Sequence, residues 1–246
     1  MKALIFAAGL GSRLKPITDT IPKALVPVGG KPLLEHIVLK LKNSGFDEII
    51  INVHHFAGQI IDFLKLNNHF GIRIEISDER DLLLDTGGGI KQAASFFDDG
   101  KPFLVHNVDI LSNPDLADMY RSALENKAMA TLLVSERPSS RHLLFDEQEN
   151  LCGWLNEQTG ETKSPYSDFH SENYRKLAFG GIHVISPAIF PLMDKWNGKF
   201  SIIDFYLSVC NTTAIRAYTT ENLQLIDVGK QDTLKKAEEF LQIYEK

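Results

Sequence analysis

The sequence predicts an α/β fold built on a mostly parallel, mixed sheet with helices on both faces. Three observations carry this expectation. Short apolar runs recur along the first half, helix-spaced apolar patterns separate them, and a turn of small residues directly follows the first run. Strand, helix, strand at that pace means βαβ units. The expected architecture is Rossmann-like, and ligands of such sheets sit beyond the carboxyl ends of the strands.

Strand-like runs lie at residues 3–7, 48–53, 72–76, 103–106 and 130–134. Between them, Pro32, Leu33, Leu34, Ile37, Val38 and Leu41 follow helical spacing, with Pro32 suited to the first turn. Ile60, Ile61 and Leu64 mark a second helix, residues 90–97 a third and residues 114–124 a fourth. Residues 84–89 read as a second glycine-rich turn that opens the third helix. Residues 136–176 are polar and rich in turn formers (Pro138, Gly153, Gly160, Pro165), with strand-like patches at 143–145 and 151–155. They read as a hairpin-bearing insertion or lid within a single domain spanning 1–246. A strand at 177–185, a helix at 202–209, strands at 214–218 and 223–228, and an amphipathic helix at 231–244 complete the pattern.

With 246 residues, 43% of them hydrophobic, the chain can bury a sizeable core. Its formal net charge of −6 argues against a general nucleic-acid binder, which is expected to be basic. No apolar run approaches the length of a membrane span. Lys2 ahead of apolar residues imitates the start of a signal peptide, but the run is short and Arg13 and Lys15 follow at once. Cys152 and Cys210 form neither a metal-like cluster nor a disulfide framework. These features together predict a cytoplasmic protein in a reducing setting.

The chemistry concentrates in Ala7-Ala8-Gly9-Leu10-Gly11-Ser12-Arg13, after the first strand, with Pro22-Lys23 ten residues on. A small-residue turn exposes backbone N–H donors that can hold phosphate oxygens. Arg and Lys nearby can neutralise charge that builds up on transfer. Two common phosphate fingerprints fail on spacing. The dinucleotide motif needs a third glycine where Leu14 stands, and the P-loop needs Ser or Thr after Gly30-Lys31, where Pro32 stands.

Further segments sharpen this: Leu84-Asp85-Thr86-Gly87-Gly88-Gly89, Asn107-Val108-Asp109, and Asp227-Val228-Gly229. With Ala8–Arg13 and Pro22-Lys23 they stand in the order found in the sugar-1-phosphate nucleotidylyltransferases, and the chain resembles that family over nearly its whole length. Within it, the compact length and the Asp-Thr-Gly-Gly-Gly-Ile stretch look most like the N-acetylmuramate 1-phosphate uridylyltransferases of cell-wall recycling. The mannose-1-phosphate guanylyltransferases look nearly as close. The sequence shows no C-terminal left-handed β-helix of the bifunctional acetyltransferase members.

The resemblance implies the nucleotide-diphospho-sugar transferase fold and the reaction of a nucleoside triphosphate with a sugar 1-phosphate to give an NDP-sugar and pyrophosphate. It implies catalytic roles for Arg13, on the leaving pyrophosphate, and Lys23, at the α-phosphate. Nucleotide contacts fall to Ala8, Gly9, Leu10, Gly11, Ser12, Asp85, Thr86, Gly87, Gly88 and Asn107. Val108, Phe179, Gly180 and Gly181 fall at the sugar. Asp109 and Asp227 become the ligands of Mg²⁺ or Mn²⁺, since Mg²⁺ uses one or two carboxylates and fills its shell with phosphate oxygens and water. The family commonly has glycine where Asp85 and Val108 stand. Arg141, Lys163, Tyr166 and Arg175 are unranked candidates for sugar or phosphate contacts, and Lys15 and Lys31 are expected at the periphery.

Competing readings are a guanylyltransferase for mannose 1-phosphate or a heptose phosphate, a cytidylyltransferase for a small phosphorylated alcohol, and a non-catalytic nucleotide-sugar-sensing subunit. His54-His55 are read as neighbours on a strand, pointing to opposite faces and so unable to chelate together. Trp154 and Trp196 are expected to be packing residues. Base, sugar and oligomeric state stay open.

Overall fold

The computed structural model describes residues 1–244. Strand β1 spans Lys2–Phe6, and a short hairpin of β2 (Pro27–Val28) and β3 (Lys31–Pro32) leads into helix α1 (Leu33–Asn43). There follow β4 (Glu48–Val53), α2 (Ala57–Leu66), β5 (Arg73–Asp78), α3 (Asp85–Gln92), β6 (Phe103–Asn107), β7 (Ile110–Ser112) and α4 (Leu116–Asn126). The second half holds β8 (Ala130–Ser135), β9 (Arg141–Phe145), β10 (Leu151–Asn156), β11 (Thr162–Lys163) and β12 (Arg175–Ile185). Helix α5 (Ile202–Val209), β13 (Ile215–Tyr218), β14 (Leu225–Asp227) and α6 (Leu234–Tyr244) end the described chain.

Two compact units emerge. The first joins Met1–Leu83, Val105–Ala117 and the segment from Leu223 onward. Its strands neighbour one another in the order β6-β1-β4-β5, and both β1–β4 and β4–β5 are parallel. The run Ile49-Ile50-Ile51 in β4 is continuous rather than alternating because all three side chains are fully buried, as strands covered on both faces require. Helix α1 buries Leu33, Leu34, Ile37, Val38 and Leu41, the three- and four-residue spacing of one face. It stops because Gly45 adopts a left-handed φ of 84°. Gly45 N–H then reaches Lys42 O and Phe46 N–H reaches Leu41 O, the paired bonds of a Schellman cap. β7 and β14 form a separate antiparallel pair, with Asp227 opposite Ile110.

The second unit comprises Leu84–Leu104 and Asp118–Asn222. Its strands run β11-β10-β9-β12, antiparallel throughout. β12 also pairs antiparallel with β8, which pairs parallel with β13. The polar stretch 136–176 contains β9, β10 and β11. A bulge falls between Leu151 and Gly153, and Gly153 lies so close under the Phe169 ring that a Cβ there would sit 2.4 Å from it. Among the described residues, no helix is long and apolar enough to cross a membrane.

Several elements differ from the sequence expectation. Residues 84–89 are not a turn ahead of a helix: Asp85 opens α3, which ends at Gln92, and a 3-10 turn follows at Ala94–Phe97. Gly87 and Gly88 are accommodated inside a helix because their neighbours leave no room for a side chain. His54 and His55 lie beyond Val53, the last residue of β4, rather than on it. The last helix starts at Leu234, after a 3-10 turn at Gln231–Thr233. The β2–β3 hairpin and β7 are too short to leave a periodic signature.

Candidate active site

The turn after β1 is held from beneath. Leu14 is fully buried, whereas Gly9, Leu10, Ser12 and Arg13 are exposed. Gly11 has φ 65°, and Leu14 N–H closes a 3-10 turn onto its carbonyl at 2.8 Å. Thr18 Oγ1 donates to the same carbonyl at 2.8 Å. A Cβ on Gly11 would lie 2.8 Å from Thr18 Cγ2 and 3.0 Å from Lys23 Cβ, so both the φ and the contact require glycine. Gly9 faces open space. The N–H groups of Ala7 and Ala8 are already engaged by Asn52 Oδ1, which leaves donors to a phosphate at Leu10 to Ser12.

Lys23 opens a 3-10 turn directly after Pro22 and is buried. Its ammonium donates to Asp109 Oδ2. Asp109 follows β6, where Val108 N–H reaches Phe6 O of β1 at 3.2 Å. Val228 N–H in turn donates to Asp109 O at 2.8 Å, so the ends of β6 and β14 meet. One residue further, Gly229 is overhung by two side chains. Arg13 Nη2 and Asp227 Oδ1 lie 2.6 and 2.7 Å from the point where its Cβ would be. Contacts therefore run from Gly11 to Lys23, Asp109, Val228, Gly229 and Arg13, back to the loop. Arg13, Lys23, Asp109 and Asp227 come together within the first unit.

The donor set suits a hard divalent cation. Asp109 and Asp227 stand where the ends of β6 and β14 adjoin, and Asp109 already meets one cation, the Lys23 ammonium. Mg²⁺ or Mn²⁺ takes such oxygens and leaves the rest of its shell to phosphate and water. No group of three or more His, Cys, Asp or Glu side chains that could hold a metal occurs among the described residues.

In the second unit, Asp85 has φ 61°, a left-handed conformation in which glycine is at ease and Asp is tolerated. Its Oδ1 accepts Thr86 N–H at 2.7 Å, and Thr86 Oγ1 accepts Ile202 N–H at 3.0 Å. The N–H groups of Gly87 and Gly88 both point at Phe200 O. A Cβ on Gly87 would strike the Phe200 ring at 2.4 Å, and one on Gly88 would meet Gly198 O at 2.5 Å. These glycines let α3 pack on residues 198–200. Phe179 and Gly181 belong to an irregular stretch of β12, where the register against β8 shifts and Gly181 has φ 72°. Val108 is buried, and Asn107 O accepts from His106 Nδ1 at 2.8 Å.

The unranked side chains separate clearly. Arg175 bonds to Glu136 and Glu149, and Lys163 pairs with Asp204 beside the Trp154 ring. Tyr166 O–H donates to Cys210 O at 3.4 Å, and Arg141 is exposed. Lys15 and Lys31 pair with Asp19 and Glu35. Trp196 packs on Phe200 and Phe205. Arg137, which the sequence did not single out, donates to Phe179 O at 2.9 Å. His106 and His183 are fully buried, and burial pushes both down to about 3, with Lys40 adding to the effect at His106. Both rings are neutral at physiological pH.

Comparison with known proteins places these features. The profile of the Nucleotidyl transferase family matches residues 2–145. N-acetylmuramate alpha-1-phosphate uridylyltransferase of Neisseria meningitidis serogroup B is 42% identical over 140 residues, 56% of this chain and 60% of that protein. Mannose-1-phosphate guanyltransferase of Yarrowia lipolytica is 30% identical over 199 residues, 79% of this chain and 52% of the relative. The chain thus spans less than two thirds of the length of these relatives. A crystal structure of HddC from Yersinia pseudotuberculosis complexed with GMP-PN superimposes with a TM-score of 0.76 at 25% identity, covering 98% of this chain and 99% of the other. With a profile match over more than half its residues, and with the loop, Lys23 and Asp109 all inside the matched stretch, the chain belongs to the Nucleotidyl transferase family.

Proposed function

We propose that the chain is a sugar-1-phosphate nucleotidylyltransferase, with UTP and N-acetylmuramate 1-phosphate as its substrates, acting in the cytoplasm. The observation that carries this is the convergence of Arg13, Lys23, Asp109 and Asp227 around the Gly9–Arg13 loop. The similarity to the Neisseria uridylyltransferase supports the choice of base and sugar.

In the proposed reaction a phosphate oxygen of the sugar 1-phosphate attacks the α-phosphorus in line, and the bond from that phosphorus to the β-phosphate oxygen breaks. The attacking group is already an anion, so no general base is needed. Backbone N–H groups of Leu10 to Ser12 hold the triphosphate. Arg13 compensates the charge that grows on the leaving pyrophosphate, and Lys23 does so at the α-phosphate. Asp109 and Asp227 would hold Mg²⁺ or Mn²⁺, which when bound supplies Lewis acidity and a template for the phosphate oxygens. Asp85 and Thr86 are assigned to the base and ribose, and Phe179 to Gly181 to the sugar.

A second reading, guanylyl transfer to mannose 1-phosphate or a heptose phosphate, is favoured by the match to the Yarrowia enzyme over 79% of this chain and by the likeness to HddC. Pyrophosphate release, measured with four nucleoside triphosphates against a panel of sugar 1-phosphates in Mg²⁺, separates the two. Turnover is expected with UTP and N-acetylmuramate 1-phosphate. Turnover with GTP alone would replace the first reading by the second, and none with any pair would leave a nucleotide-sugar-sensing subunit.

A further inference from the structure

Where β1, β4 and β5 end side by side, one buried side chain joins all three. Asn52 of β4, opposite Phe6 of β1 and Ser77 of β5, is 2% exposed. Its Oδ1 accepts Ala7 N–H at 2.7 Å and Ala8 N–H at 3.2 Å. Its Nδ2 donates to Glu79 Oε1 at 2.8 Å. Glu79 is 3% exposed and fixed through its own backbone: Glu79 N–H reaches Val53 O at 2.8 Å, and His54 Nδ1 donates to Glu79 O at 2.7 Å.

This arrangement has a consequence for the loop. Past Phe6 the chain leaves the sheet, and two successive N–H groups would end buried with nothing to bond. The Asn52 amide oxygen satisfies both, so β1 is prolonged by a side chain instead of a strand. Ala7 and Ala8 are buried, and the exposed residues begin at Gly9. The direction in which Gly9 to Arg13 set out is thus decided at Asn52, and the orientation of its amide is decided by Glu79. Asn is the side chain this demands: Asp has no donor for Glu79, and Leu has no acceptor for the two N–H groups. Phosphate binding by loop donors is sensitive to placement on the scale of 1 Å.

We infer that Asn52, oriented by Glu79, is the positioning residue of the phosphate loop, setting triphosphate affinity without touching the ligand. The inference rests on the nucleotidyl-transfer reading and concerns the same site.

The test is a donor–acceptor swap. Asn52→Asp sets a second carboxylate against Glu79 and should weaken binding of UTP and GTP with Mg²⁺, and of inorganic triphosphate, at least tenfold by calorimetry. It should also raise the rate of trypsin cleavage after Arg13, without ligand, at least fivefold. Combining Asn52→Asp with Glu79→Gln returns one N–H···O bond between the two positions at the parental net charge, and should bring both readouts within threefold of the parent. A purely structural role would lower the melting temperature while leaving affinity and cleavage at Arg13 unchanged in the folded protein. Parental values for Asn52→Asp, or a double variant no better than the single, would overturn the inference. If Asn52→Asp does not fold, the double variant decides alone: parental folding and binding support the swap, and failure to fold overturns it. A parent that binds none of the three probes would instead remove the nucleotidyl-transfer reading.

Discussion

Lys23 and Asp109, 86 residues apart in sequence, form a direct ion pair at the candidate site, with the lysine buried. In the proposed reaction each has another partner, the lysine an α-phosphate and the aspartate a divalent cation. In that reaction the pair would hold both groups in place until substrate arrives and give way to the new partners. Asp109→Asn keeps an oxygen acceptor for Lys23 and removes the charge. Pyrophosphate release should fall about 100-fold or more, the scale of losing one electrostatic stabiliser, while circular dichroism shows a parental fold. Parental activity in that variant would take Asp109 out of the reaction.

Gly229 offers a cleaner probe of Arg13 and Asp227, because its own side chain is absent. A methyl group there would take the space into which Arg13 Nη2 and Asp227 Oδ1 both reach. Each is the far end of a flexible side chain and can swing away. Gly229→Ala should fold with a melting temperature within a few degrees of the parent and lose about 10- to 100-fold in kcat, the scale of displacing groups by about 1 Å. Steady-state kinetics beside a thermal melt checks this.

His106 and His183 make stability depend on pH. Each is held neutral by burial, at about 3, against 6.5 for an ordinary histidine. Between those values the unfolded chain binds more protons than the folded one, so unfolding free energy rises with pH and is lost as pH falls below 6.5. At pH 5 each histidine should cost about 2 kcal/mol relative to pH 7. Urea unfolding at both pH values measures the sum, and coincident curves would contradict the burial of these rings.

The two cysteines should be chemically silent in the folded state. Burial pushes Cys152 up to about 11 and Cys210 up to about 12, so the thiolate that reacts is scarce at neutral pH. A chromogenic disulfide reagent should find no fast-reacting thiol in the native protein and two after denaturation. Rapid native labelling of either would show a more open environment.

Much of the fold is legible in the sequence because its signals are local. β4 spans the residues its apolar run marks, and α5 matches its pattern to the residue. Gly87 and Gly88 read as a turn in sequence, whereas glycine's usual cost in a helix is offset here by contact with Phe200 and Gly198, about 110 residues away in sequence. Arg13, Lys23, Asp109 and Asp227 are named by motif order, but the Lys23–Asp109 ion pair and the place of Asp227 opposite Ile110 are set by contacts between distant segments. Asn52 is silent in the sequence for a similar reason. One polar residue in an apolar strand carries no pattern, and its meaning appears only when Ala7, Ala8 and Glu79 surround it.

The first unit is assembled from three separated stretches, and its β14 strand comes from the last of them. On the ribosome, β7 must wait for more than a hundred residues before its partner strand is made. The intervening second unit is complete by then and can fold first. The first unit, although it holds the chain's earliest residues, thus receives its Asp227 carboxylate only after the whole of the second unit has been made.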